Sequence, residues 1–110
     1  MSLSVVFETF GGKAVLFVSG RIDSATAADF EAALFDAFGQ ADDGGLTVEC
    51  SALEYISSAG LRVLLMGAKR QRKAKLGYAL CALSDNIRKV FTMGGFEKLI
   101  PIYAKLDDVP

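Results

Sequence analysis

From Arg21 onward the sequence repeatedly changes period. Strand-like apolar runs alternate with apolar residues spaced three and four apart, the stripe of an amphipathic helix. Phe30, Ala33, Leu34, Ala37 and Phe38 form the first stripe, ahead of the strand-like "LTVEC" at 46–50. Leu61, Leu64, Leu65 and Ala68 form the second, ahead of "YALCA" at 78–82. Ile87, Val90 and Phe91 form the third, ahead of "LIPIY" at 99–103. A chain that keeps returning from helix to strand makes parallel neighbours through right-handed crossovers. Two further strand-like runs stand in front, at 3–10 and 14–19, and Gly11-Gly12 between them is a hairpin signal. The predicted order is β-β-α-β-α-β-α-β. It implies one α/β domain over residues 1–110, with a mixed, mostly parallel sheet, an N-terminal β-hairpin and helices packed against the sheet. Pro101 cannot donate to a ladder, which places the last strand at an edge.

Local signals set the expected boundaries. Asp23, Ser24 or Thr26 can cap the first helix, and Thr26 with Asp29 resembles a capping box. Gly39 is its expected stop, with "DDGG" at 42–45 as the loop beyond. The second helix is expected to start near Ser58 and to end in "KRQRKAK" at 69–75, a basic run that complements the negative end of the helix dipole. That run reads first as a solvated helix end, and second as a patch for phospholipid or an acidic partner. Ser84 caps the third helix and Gly94-Gly95 ends it. "FTMGGF" at 91–96 reads as core and turn packing, with exposed apolar surface as the other reading. The tail from Ala104 is expected to form at most one frayed turn.

At 52% hydrophobic residues the chain can build a core, which excludes a disordered chain. A net charge of −1 lacks the basic excess of a nucleic-acid binder. There is no histidine, which removes Ser-His-Asp and Cys-His nucleophiles and most zinc sites. No catalytic or metal-ligating set and no cofactor site is therefore expected. Cys50 and Cys81 read as two reduced, buried residues, with a disulfide between neighbouring strands as the alternative. The N-terminus has no basic region of a signal peptide, and no apolar run approaches the ~20 residues that span a bilayer. These features imply a cytoplasmic location without membrane insertion.

The stretch "EYISSAGLRVLL" at 54–65 sets two serines side by side where a helix begins. A serine there can be a plain N-cap. It can also stand where partners gather, because the loop after a parallel strand's carboxyl end lies on the binding edge of an α/β sheet. No Ser-x-x-Lys spacing or G-x-S-x-G elbow accompanies the pair, so hydrolase chemistry is not indicated. A phosphoacceptor needs no base of its own, since the kinase supplies it.

Three stretches carry a resemblance: "VSGRID" at 18–23, "VECSALEYISSAGLRVLL" at 48–65 and "LCALSDNIRKVFTMGGFEKLIPIY" at 80–103. With them the sequence resembles the STAS domains, named for sulfate transporters and anti-sigma factor antagonists, and within them the bacterial anti-sigma factor antagonists. In that family a strand leads into an Asp-Ser-(Ser/Thr)-Gly-Leu element, and the serine after the Asp is phosphorylated by the partner anti-sigma factor, a serine kinase. The resemblance matches Ser58 to the phosphoacceptor, with Ser57 as the alternative, Gly60 to the glycine and Leu61 to the leucine. Ser57 stands where Asp is usual and Ala59 where Ser or Thr is usual. Asp23 matches an acidic residue near the same surface. The resemblance thus implies a non-enzymatic binding module whose partner-binding edge comprises Asp23, Ser24, Ser57, Ser58, Ala59, Gly60 and Leu61. The unphosphorylated form docks the kinase and releases a sigma factor, and a phosphatase of PP2C type resets it. The alternative role is a cytoplasmic subunit that docks on the ATPase of a membrane ABC transporter.

Overall fold

Gly11 and Gly12 both take left-handed backbone, at φ +60° and +81°, and turn the chain back on itself. In the computed structural model, which describes residues 2–110, they join β1 (Leu3–Phe10) to β2 (Lys13–Ile22) as an antiparallel hairpin. The chain continues through α1 (Ala27–Gln40), β3 (Leu46–Ile56), α2 (Ser58–Ala74), β4 (Tyr78–Cys81), α3 (Asp85–Met93) and β5 (Ile102–Tyr103). The sheet order is β1-β2-β3-β4-β5, and every pair after the hairpin is parallel. This is the expected fold class, with the last strand at an edge and Pro101 just before it rather than within it.

One face of the sheet and the helices share the main core. Leu16, Val18, Val48 and Leu80 from the strands meet Phe30, Leu34, Leu64 and Phe91 from the helices, all nearly or fully buried. On the reverse face Ala79 and Cys81 pack with Val109, Tyr103 and Leu106 beside β4 and β5, and Val15 and Thr47 are buried on that face as well. The tail forms a 3₁₀ turn at Leu106–Asp108, and the Lys13 ammonium donates to the Val109 carbonyl, which holds it against the sheet. Gln71 is the buried polar strut of α2. Its amide donates to the carbonyls of Gly44 at 2.7 Å and Gly77 at 2.9 Å, tying the helix end to the loops before β3 and β4.

The two cysteines lie on opposite faces of the sheet. Cys81 pairs with Glu49 across β3 and β4, so the next residue, Cys50, points the other way into the main core. The disulfide alternative fails on that geometry. Burial, with the charges of Cys81 and Glu49 behind it, pushes the Cys50 thiol far above its usual value. Burial, then Glu49, pushes Cys81 up to about 11. Both stay protonated thiols, the form that does not act as a nucleophile.

Several boundaries move. α1 runs through Gly39 to Gln40, and its N-cap Thr26 makes no side-chain cap bond, so the Thr26–Asp29 box does not form. β3 extends six residues past Cys50, and β5 is confined to two residues. Val90, expected in the stripe of α3, is 39% exposed. "FTMGGF" divides: the rings of Phe91 and Phe96 meet edge-on at 6.1 Å, whereas Met93 is 87% exposed.

Candidate functional site

The extra length of β3 builds the candidate site. Against β2, β3 carries one additional residue between the Phe17–Glu49 and Ser19–Ala52 pairs, and another between Gly20–Leu53 and Arg21–Tyr55. Each bulge flips the side chains that follow to the other face. The buried positions therefore become Cys50, Leu53 and Ile56, and the strand reaches the last residue of β2, with Ile22 paired to Ile56. The carboxyl ends of β2 and β3 finish side by side, and the Ser57 amide donates to the Ile22 carbonyl at 2.7 Å. That bond brings "GRID" and "SSAG", some 35 residues apart in the chain, to one edge.

Here the two serines divide their work. Ser57 is the N-cap of α2: its backbone is extended, its side chain is half-buried, and its Oγ accepts from the Gly60 amide at 3.2 Å. Ser58 is the first helical residue and its side chain is exposed. The helix begins at Ser58, as expected, while the capping oxygen belongs to its neighbour. Serine and aspartate are both favoured N-caps, so Ser57 supplies the capping oxygen at the position where the family pattern has Asp. Ala59 is half-buried in the first turn, and Leu61 is buried. Gly60 is buried directly on the strand ends: a Cβ there would lie 2.6 Å from Ile22 Cγ2 and 2.8 Å from Ile56 Cγ1.

Asp23 stands beside this helix start, in a turn of its own. Its Oδ1 accepts from the amides of Ala25 at 3.0 Å and Thr26 at 3.1 Å, while the Thr26 Oγ1 accepts from the Asp23 amide at 2.9 Å. Desolvation pulls the Asp23 carboxyl upward, but the hydrogen bonds from Thr26 and Ala25 and the charge of Arg21 outweigh it and leave it below its usual value. The carboxylate is ionised at neutral pH. A lowered folded value means that its contribution to stability holds above the ordinary carboxylate range and is lost as pH falls through the folded value. Ser24 is exposed in the same turn.

Sequence reasoning missed one pair on this edge. Arg21 and Tyr55 are cross-strand partners, and the Arg21 guanidinium lies 4.4 Å from the centre of the Tyr55 ring. Tyr55 is 41% exposed. The signal was the period-three spacing Cys50, Leu53, Ile56, which a strict period-two criterion rejects. A shallow depression lined by Ser4, Ser19, Arg21, Ala52 and Glu54 flanks the pair. A larger one, lined by Lys13, Asp43, Thr47, Lys75 and Tyr103, opens at the opposite, amino-terminal ends of the strands. Among the described residues, no group of three or more Cys, Asp or Glu comes together as a metal site.

The division between the serines is measurable. Ser57→Ala is expected to lower stability by about 1 kcal/mol, the usual worth of an N-cap, and Ser58→Ala to leave it within about 0.5 kcal/mol. Urea unfolding of the two variants beside the parent checks both values.

Comparison with known proteins places this geometry among relatives. The profile of a family described as STAS domain matches residues 4–109. The chain is 33% identical over 102 residues to BtrV of Bordetella bronchiseptica, named as an anti-sigma factor antagonist, covering 91% of this chain and 85% of that protein. The crystal structure of an anti-sigma factor antagonist from Mycobacterium paratuberculosis superposes with a TM-score of 0.84 at 30% identity, covering 97% of this chain and 90% of that one. The Bacillus cell fate determinant SpoIIAA in its phosphorylated form shares the fold alone, with a TM-score of 0.70 at 19% identity, over 96% and 95% of the two chains.

Proposed function

Since the chain belongs to the STAS domain family, we propose that it is an anti-sigma factor antagonist whose binding edge is switched by phosphate on Ser58. The observation that carries this reading is the exposed Ser58 hydroxyl on the first residue of α2, with the capping duty taken by Ser57. The partner is an anti-sigma factor with serine kinase activity. It docks on the edge made by Asp23, Ser24, Ser57, Ser58, Ala59, Gly60 and Leu61, and docking frees a sigma factor.

The chain itself acts by binding rather than by catalysis. In the phosphoryl step the Ser58 oxygen forms a bond to the γ-phosphorus of ATP. The bond from that phosphorus to the ADP oxygen breaks, and the hydroxyl proton passes to a base on the kinase. The product dianion sits at a helix N-terminus, where the dipole favours negative charge, so the fold accommodates it. On a docking edge the same charge must be desolvated against the partner, and docking fails. A phosphatase of PP2C type restores the hydroxyl. The phosphorylated form of SpoIIAA supports the idea that this fold tolerates such a group.

The test is a capture experiment from the source organism with the parent, Ser58→Ala and Ser58→Glu as baits, followed by phosphosite mapping. The parent and Ser58→Ala are expected to retain a kinase-type anti-sigma factor, and Ser58→Glu to lose it by about a hundredfold in affinity. Phosphate is expected on Ser58 alone. Equal retention by Ser58→Glu, phosphate on Ser57, or recovery of transporter subunits without phosphate would each overturn the reading.

A further inference from the structure

The basic run at the end of α2 belongs to a longer, strongly basic stretch of the chain, interrupted by Asp85 and Glu97. Nine of the twelve Lys and Arg lie between Arg62 and Lys98, against only two of the thirteen Asp and Glu, Asp85 and Glu97. All nine side chains are exposed. Residues 1–61 carry nine carboxylates against two cations and are net −7, residues 62–98 are net +7, and the remaining tail is net −1. α2 has no carboxylate at all. Its exposed ridge runs Arg62, Met66, Lys69, Lys73, spaced to fall on one face over about 17 Å. Beside it, the Arg72 guanidinium lies 3.5 Å from the Leu99 carbonyl, which links α2 to the segment after α3, and Lys98 lines the groove between them. On α3, Arg88, Lys89 and a single carboxylate, Asp85, line a shallow, mostly apolar depression with Met93. Three of the seven exposed large hydrophobic residues, Met66, Val90 and Met93, fall in the same part of the chain, and a fourth, Leu99, directly follows it.

We propose that the α2–α3 surface adsorbs to anionic phospholipid headgroups. Exposed lysines and arginines are drawn to the negative potential of such a surface, and their attractions add. The cations sit on long, flexible side chains along a ridge, which suits a diffuse layer of negative charge better than a set of fixed carboxylates. Met93 and its apolar neighbours reach the boundary between headgroups and acyl chains, the usual complement to cations in peripheral binding. Adsorption is peripheral, since no helix among the described residues is long and apolar enough to cross a membrane. The proposal does not depend on phosphorylation of Ser58.

The test is flotation of the purified chain with vesicles of phosphatidylcholine alone and of phosphatidylcholine containing about one third phosphatidylglycerol, at low salt. Poly-L-glutamate serves in parallel as a polypeptide polyanion. Binding is expected to the anionic vesicles only and to be lost near 0.5 M salt, where charges are screened within about 4–5 Å. The double reversal Lys69→Glu with Lys73→Glu is expected to weaken it at least tenfold, with circular dichroism confirming the fold. Met93→Ser is expected to weaken binding while leaving its salt dependence unchanged. Equal binding to both vesicles, no binding to either, or indifference to the reversal overturns the proposal. Binding to poly-L-glutamate without binding to anionic vesicles also overturns it and assigns the surface to an acidic polypeptide.

Discussion

Gly60→Val is expected to destabilise the protein by about 3 kcal/mol and, on the proposed function, to abolish docking at the Ser58 edge. Even the first added carbon has no room, since it would meet Ile22 at 2.6 Å and Ile56 at 2.8 Å. Those isoleucines are buried, end β2 and β3, and pair with each other, so neither can move without shifting a strand end. The start of α2 must lift instead. Lifting it separates the Gly60 amide from Ser57 Oγ and strains the Ser57–Ile22 backbone bond that holds the edge together. Gly39→Ala is the control. Gly39 sits inside α1, a Cβ there meets no atom within 4 Å, and the change is expected to stabilise by about 0.5–1 kcal/mol. Urea midpoints of both variants, with binding measured on the folded fraction of Gly60→Val, check the pair. Equal stability of Gly60→Val and the parent would contradict this account of how α2 seats on the sheet.

Phe30→Ala is expected to cost about 3–5 kcal/mol, the loss typical of a buried ring whose site cannot collapse. Phe30 is fully buried in the first turns of α1, within the cluster that holds Ile22, Leu34 and Leu61. A domain of this size has about 5–15 kcal/mol of total stability, so the variant approaches the threshold of folding at physiological temperature. Its melting temperature is expected to fall by roughly 12 °C or more. Phe10→Ala removes the same ring from a site that is 52% exposed on β1, and is expected to change stability by no more than about 0.5 kcal/mol. Thermal scans of both variants separate burial from ring chemistry. A small loss at Phe30 would mean that the core repacks around the missing ring.

Much of the fold was legible because α1 and α2 follow their period closely and β4 is a continuous apolar run buried on both faces. Phe30, Leu34, Ala37 and Phe38 are buried, as their spacing requires. The hairpin was legible because few residues other than glycine tolerate the backbone that Gly11 and Gly12 adopt. β3 was not legible beyond Cys50. Its two bulges change the buried spacing from two to three, and bulges arise from pairing with β2, a partner distant in sequence. The cap of α1 was hidden for a related reason. Asp23 satisfies the amides of Ala25 and Thr26 through a local turn, so no single residue of "DSAT" behaves as a textual N-cap signal suggests. Ser57 and Ser58 were legible as a pair, but local sequence could not divide their roles. The division follows from where β3 ends and how far Gly60 lets the helix approach.

Two adjacent hydroxyls with separate duties also imply separate evolutionary pressures. Drift at position 57 is filtered by stability, so a descendant can exchange that serine for Asp, Asn or Thr but meets resistance to aliphatic residues. Drift at position 58 is nearly free of folding consequences and is filtered only by what reads the exposed side chain. If the proposed switch operates, a lineage that abandoned it would therefore lose its second serine first, while the first persisted as a relic of architecture.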